Sequence, residues 1–313
     1  MSRSKDWPSI LPIDGHKSSA SKLFRTASAV VIPSVAVMSK VWLTWFNQTR
    51  IKNHDVLLSC LDNHFKDKSY PLVTVSNHHS CLDDPGLWGA LFPWKWTLNS
   101  DRHRWSAAAE DICFTNTLHS NFFCLGKTFP VVRGDGINQK GMDYALDLMK
   151  NNAFLHFFPQ ARTVDDHEEP KRIKIPSDEG DHELKKRLKD VTLRDKDFEK
   201  GYELKWGLAR LLLETLGEES SRRRVLLLPF YHLGMNHALP NERYYIPRVF
   251  KTIYVYIRDA GPIQFDHEYL KNVCFNGDTN IPIHLKRSLI MKRVEEELKL
   301  IKLKAIQFKQ TFE

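Results

Sequence analysis

The densest cluster of chemically competent side chains is Asn77-His78-His79-Ser80-Cys81-Leu82-Asp83-Asp84-Pro85, directly after an apolar run at residues 71–76. An imidazole five residues before a carboxylate becomes useful if the chain turns between them. The carboxylate accepts the proton on one ring nitrogen, and the other nitrogen is left as a base able to deprotonate a hydroxyl. Two registers satisfy the spacing, His78 with Asp83 and His79 with Asp84. Asp84-Pro85 reads as a helix N-cap followed by proline at the first helical position, which would occupy Asp84 with backbone N–H groups. His78 and Asp83 are therefore the expected catalytic pair, with Asn77, Ser80, Asp84 and Pro85 as structural residues around them. Other chemistries find no signature. The chain has no Gly-x-Ser-x-Gly elbow, Gly-rich phosphate loop, His-Glu-x-x-His or dinucleotide fingerprint. Its five cysteines are widely spaced with no Cys-x-x-Cys pair, so they read as reduced thiols, and neither a metal nor a cofactor is expected.

The elements that must position this cluster are short apolar runs alternating with helical patterns. Strands are expected at residues 71–76, 153–158, 225–230 and 252–257, the last rich in β-branched and aromatic residues. Helical spacing appears at residues 54–65, 141–150, 203–216 and 285–306. Such alternation predicts a single α/β domain, a central mixed sheet flanked by helices, with functional groups on loops at strand ends. The expected organisation is a polar leader at 1–22, an apolar segment at 23–46, a domain at 47–275 carrying a charged insertion at 164–200, and a helical tail at 276–313. The tail has one apolar stripe, which fits packing on the domain somewhat better than lying on a membrane. Asp6 and Asp14 in the leader depart from the acid-poor pattern of targeting peptides.

The chain has 313 residues, of which 42% are hydrophobic, enough to build a core rather than a disordered tail. Its 46 Lys and Arg against 38 Asp and Glu give a net charge of +8. That balance points to an anionic partner, nucleic acid or a membrane surface. The basic residues are mixed with acids rather than clustered, which argues against nucleic acid. Segment 23–46 is the most apolar of the chain, but its charge-free part, residues 26–39, is too short for a full span of about 20 residues. It fits a membrane-interface helix, with Trp42 and Trp45 at the water–lipid boundary, or a helix packed on the core.

The block from Val75 to Gly89 resembles the tafazzin family of the glycerolipid acyltransferases. The resemblance continues in order through Gly126-Lys127-Thr128-Phe129-Pro130-Val131-Val132-Arg133, Gln139-Lys140-Gly141-Met142-Asp143, His156-Phe157-Phe158-Pro159, Lys205-Trp206-Gly207 and Leu228-Pro229-Phe230-Tyr231-His232-Leu233-Gly234-Met235-Asn236. It implies an acyltransferase-like fold and a coenzyme A-independent transacylase. Such an enzyme moves fatty acyl chains between phospholipids and lysophospholipids, cardiolipin and phosphatidylcholine among them, on a mitochondrial membrane facing the intermembrane space. By the same resemblance, His78 is the general base and Asp83 its orienting partner. Arg133, Phe158, Pro159, Gln160 and Lys205 would meet the substrate, and homo-oligomerisation is left open. An acyl-CoA-dependent lysophospholipid acyltransferase is the alternative. The third motif of the family normally reads Phe-Pro-Glu-Gly, whereas this chain has Phe158-Pro159-Gln160-Ala161. Gln160 still hydrogen-bonds but carries no charge, which opens a third reading, a weakened membrane-binding homologue.

Overall fold

Runs such as Leu72-Val73-Thr74-Val75 and Phe154-Leu155-His156-Phe157 are buried at every position, as strands covered on both faces require. A computed structural model of the chain describes residues 7–12, 19–160, 204–217, 222–241, 246–278 and 280–313. The charged insertion at 164–200 lies outside the described residues, as does most of the polar leader. Among the described residues eight strands form one sheet: β1 (Gln48–Lys52), β2 (Leu72–Val75), β3 (Trp105–Ala109), β4 (Thr128–Val131), β5 (Phe154–Phe157), β6 (Val225–Leu233), β7 (Thr252–Ile257) and β8 (Ile263–Phe265). Their order is β1-β7-β6-β2-β5-β3-β4, with β8 beside the start of β6. The sheet is mixed, as expected. Strands β6, β2, β5, β3 and β4 run parallel, β7 and β8 pair antiparallel with β6, and β1 is parallel to β7. The four strands read from sequence are all present. β1, β3, β4 and β8 were not anticipated, because their short, partly polar segments lack a continuous apolar run.

Helices cover both faces. α1 (Ser19–Val41), α2 (His54–Asp67) and α3 (Asp83–Leu91) precede α4 (Thr117–Leu125), α5 (Lys140–Lys150), α6 (Gly207–Leu216) and α7 (Ile283–Gln310). Leu57 and Leu61 of α2 and Leu87, Trp88 and Leu91 of α3 share one core with Leu72, Phe154 and Phe230. The opposite core joins Val73, Val75 and Leu155 to Met149 of α5, Leu211 of α6, and Ile290 and Val294 of α7. Of the two options for the C-terminal helix, packing on the domain is the one realised. α6 starts at Gly207, so Lys205 precedes the helix rather than riding on it.

α1 continues through a π-turn (Trp42–Phe46), and the segment from Lys22 to Phe46 forms one helix long and apolar enough to cross a membrane by length and composition. The helix is thus longer than the charge-free stretch at 26–39 predicts, because Arg25, Pro33 and Lys40 do not interrupt it. Lys40 turns inward, its Nζ donating to the carbonyls of Gly89 (3.1 Å) and Phe92 (2.6 Å), so it closes the C-terminus of α3. Phe24, Ser28, Ile32, Ala36, Ser39 and Leu43 line the buried side of the helix. Leu23, Val30, Met38 and Trp45, spaced seven or eight residues apart, form an exposed apolar stripe on the other side.

The approach of α1 to α3 requires a glycine. A Cβ on Gly89 would sit 2.7 Å from the Ala36 carbonyl oxygen and 2.8 Å from the Lys40 nitrogen. Glycine to alanine inside a helix normally gains about 1 kcal/mol. At Gly89 we expect the opposite sign, a loss of about 1–3 kcal/mol from overpacking. Thermal unfolding of Gly89→Ala measures it, and a raised midpoint would contradict the packing described.

Candidate active site

β2 ends at Val75 in the middle of the sheet, and the chain then turns across its carboxyl edge into α3. Asp83 stands at the head of α3, completely buried. Its Oδ2 accepts from the backbone N–H of His79 (2.7 Å) and Ser80 (2.9 Å) and from the Nδ1–H of His78 (2.9 Å). His232 brings its Nε2 to 3.4 Å of the same oxygen. Burial alone would push the Asp83 carboxyl up. His232 and then His78 outweigh that and hold it well below the usual carboxylate range, so it is ionised. An ionised carboxylate accepts only, so the proton of His78 is fixed on Nδ1 and its Nε2 is left as a base. The His78 side chain keeps 19% of its surface exposed, so the ring is partly open to solvent.

The pairing of His78 with Asp83 agrees with the expectation, but the reason differs. Asp84 does not cap the helix with backbone amides. Its backbone is kinked out of helical geometry (φ −116°, ψ 118°), the Asp84-Pro85 bond is cis, and its carboxylate pairs with the guanidinium of Arg104. Arg104 is buried, which pushes it down to about 9, still cationic at neutral pH. Sequence offered no signal for Arg104, whose acidic partner lies twenty residues upstream.

Asn77 and Ser80 fasten the loop as structural residues. Asn77 Nδ2 donates to the His232 carbonyl and its Oδ1 accepts the His232 N–H, each at 2.8 Å, latching the end of β2 to β6. The His232 Nε2–H is shared between the Asn77 carbonyl (2.9 Å) and Asp83, two acceptors that fix its tautomer. Ser80 Oγ donates to the Leu239 carbonyl at 3.0 Å. His232 was visible only as a member of a motif block. Its contact with Asp83 follows from β6 lying beside β2.

The residues expected to meet substrate divide into two groups. Phe158, at the end of β5, stacks on His78 with ring centroids 4.1 Å apart and a 19° interplanar angle. Beneath it His156 is buried among Trp88, Phe158 and Phe230. Burial holds His156 well below its ordinary range, and its ring nitrogens meet the hydroxyls of Thr74 (2.9 Å) and Ser76 (3.3 Å). Gln160 Oε1 accepts the backbone N–H of His78 at 2.8 Å, so its carbonyl oxygen supports the base. Pro159 accepts the backbone N–H of Lys205 at 2.8 Å, which brings that exposed lysine beside the same strand end. Arg133 is apart. It follows β4, three strands from β2 and thus about 14 Å along the edge. It reaches Asp111 (3.3 Å) with 45% of its own side chain and 65% of its partner's exposed. A pair so exposed is a weak tie that an anion can displace.

A partly buried imidazole base oriented by a buried carboxylate at the carboxyl edge of an α/β sheet fits general-base attack by a hydroxyl. Residues 57–232 match the Acyltransferase family, and this stretch includes His78, Asp83, Phe158, Gln160 and His232. The chain belongs to the acyltransferase family. The motif resemblance to tafazzins is borne out: the chain is 37% identical to tafazzin of Drosophila melanogaster over 226 residues, 72% of this chain and 49% of that protein. It thus spans about half the length of that relative. It is also 32% identical to N-acylphosphatidylethanolamine synthase of Arabidopsis thaliana over 241 residues, 75% of this chain and 70% of that protein. Among solved structures, the 1-acyl-sn-glycerophosphate (LPA) acyltransferase PlsC from Thermotoga maritima aligns with a TM-score of 0.44 and 14% identity over 92% of this chain and 84% of that one.

The folded pKa of Asp83 lies below its unfolded value of about 3.9, so its contribution to stability is complete above that pH and is lost on acidification through the folded value. Asp83→Asn is expected to cost about 3–5 kcal/mol at neutral pH, and denaturant titrations should show the gap to wild type closing below about pH 4. Gln160→Ala, which releases the His78 N–H, should lower kcat by roughly tenfold, while Gln160→Glu keeps the acceptor and retains more of the rate. Equal rates for Gln160→Ala and wild type would remove Gln160 from the support of His78.

Proposed function

We propose that this chain is a membrane-bound phospholipid–lysophospholipid transacylase. The observation that carries the reading is the His78–Asp83 pair, with Nδ1–H held on a carboxylate that stays ionised and Nε2 left unengaged on a partly exposed ring. In the reaction Nε2 takes the proton of a lysophospholipid hydroxyl as the oxygen attacks the ester carbonyl of a second phospholipid. The charge that develops on His78 is stabilised by Asp83. The tetrahedral intermediate collapses, the ester bond of the donor breaks, and its alkoxide recovers the proton from His78. One lysophospholipid is consumed and one is formed, with no coenzyme A and no net proton change. Cardiolipin and phosphatidylcholine are the substrates we assign, on a mitochondrial membrane, from the likeness to tafazzins. Arg133 and Lys205 lie along the same edge and are the cations we assign to lipid phosphate.

The membrane reading rests on α1. Its buried side is seated on α3, while Leu23, Val30, Met38 and Trp45 face outward over about 33 Å of helix. A helix packed along one side against its own domain places the other side in one leaflet, as a monotopic enzyme does. The net charge of +8 adds attraction to anionic lipid. Homo-oligomerisation stays open.

A second reading has its own support in the Arabidopsis relative, whose name describes acylation of phosphatidylethanolamine nitrogen. The same base serves an amine acceptor. Full-length protein incubated with acyl-labelled phosphatidylcholine, without coenzyme A, separates these readings. We expect label in cardiolipin when lysocardiolipin is supplied, and a fall in kcat of about 10²–10⁴ for His78→Ala. Label in N-acylphosphatidylethanolamine instead, or strict dependence on added acyl-CoA, selects another acceptor or donor. Unchanged transfer by His78→Ala would overturn the mechanism.

A further inference from the structure

At the end of α1 the chain displays large apolar side chains that its own fold does not use. Phe250 is 89% exposed and has φ 58°, the left-handed region that a bulky side chain adopts at a cost. Asparagine or glycine would suit this backbone better, and an exposed ring recovers nothing from the interior. Trp45 (73% exposed), Phe46 and Val249 stand beside it, also exposed. The backbone under them is firmly held. The Phe250 N–H donates to the Phe46 carbonyl (2.8 Å), Trp42 Nε1 donates to the Arg248 carbonyl (3.0 Å), and Asn47 ties Arg248 to Lys251 through its side-chain amide. Four apolar side chains on a braced turn are thus presented outward rather than left in a frayed loop.

The position of this turn carries the argument further. Gln48 pairs with Thr252 and Leu233 with Tyr254, so β1 and β7 begin at the level where β6 ends, while β2 stops earlier, its Val75 opposite Pro229. β7 lies two strands from β2, about 10 Å across the sheet, and its start projects beyond the end of β2 on the same, carboxyl side. The loop after β6 links the two places, because Asn241 holds the His79 carbonyl and the Arg248 N–H donates to the Ala238 carbonyl. We propose that Trp45, Phe46, Val249 and Phe250 form a knuckle that enters the interfacial layer of a phospholipid bilayer and sets the catalytic edge of the sheet against it. The proposal rests on the membrane reading above and names a second contact besides the α1 stripe. A bilayer is the occupant that fits, because Trp45 extends the line of Leu23, Val30 and Met38, and because Arg248 and Lys251 flank the rings with positive charge. Two contacts, one along the helix and one at the catalytic edge, fix the tilt of the domain where one would leave it free to rock.

Cosedimentation of the full-length protein with phosphatidylcholine vesicles containing a minor share of phosphatidylglycerol tests this. Phe250→Asn should lower binding by roughly tenfold or more, the worth of withdrawing one phenyl ring from an apolar phase. Its thermal midpoint should stay equal or rise, since asparagine tolerates the left-handed region, so lost binding would not reflect misfolding. Phe250→Trp should bind as wild type does. If Phe250→Asn binds like wild type while Val30→Ser with Met38→Ser does not, the knuckle is refuted and the membrane reading stands. Failure of wild type to sediment with vesicles refutes both. A change of oligomeric state in Phe250→Asn with vesicle binding intact would make the patch an interface between copies, which also overturns the proposal.

Discussion

One buried oxygen organises this molecule. Asp83 Oδ2 has no access to water, yet it carries a negative charge and collects two backbone amides and two imidazoles. A carboxylate left bare in such a place would protonate or drive the chain open, because desolvation costs several kcal/mol per ion. Meeting that demand dictates the tight turn from His78 to Ser80, which points consecutive N–H groups inward. It also requires β6 beside β2, since His232 reaches the carboxylate only from there. The latch between Asn77 and His232 then sets the distance between the strands. The Nε2 of His78 is left outside these contacts, on the ring that is partly exposed.

Around that oxygen the polar groups are nested rather than scattered. Gln160 holds the His78 backbone, Phe158 covers one ring face, and His156 sits below Phe158 with both nitrogens on hydroxyls. The Arg104–Asp84 pair closes the other flank and removes the second carboxylate from competition for the histidines. Replacing the family's glutamate by Gln160 keeps the hydrogen-bond acceptor that the His78 N–H needs and omits a charge. The hydrogen bond to the His78 backbone is therefore kept despite this departure from the family motif.

The outer surface repeats the same economy of position. The inward side of α1 is closed on α3 at Gly89, and Lys40 is turned away from the apolar face to cap α3. The stripe of Leu23, Val30, Met38 and Trp45 carries no charge at its own positions. On the proposed reading the stripe and the aromatic turn at Phe250 hold the sheet edge against the bilayer, so a lipid ester and a lysolipid hydroxyl reach His78 without leaving the membrane.

Much of this was legible in the sequence because it depends on near neighbours. The His78–Asp83 spacing, the buried runs of β2, β5, β6 and β7, and the alternation that makes an α/β domain are all local patterns. They are set by side-chain periodicity and by the reach of a short turn. The residues that sequence reasoning missed or misplaced are those whose partners come from afar. Asp84 was read as a helix cap because its nearest available donors are backbone amides, and only folding brings Arg104 to it. His232 lies 149 positions beyond Asp83 in the chain, Gln160 spans 82 positions to the His78 N–H, and Lys40 spans 49 to Gly89. The strands β1, β3 and β4 were hidden because edge and near-edge positions accept polar side chains, so their patterns carry little signal. The sequence by itself determined which groups form the candidate catalytic pair and that a parallel-strand edge presents them. The tertiary structure alone decided what holds them, because burying one carboxylate demands donors from wherever the sheet order places them.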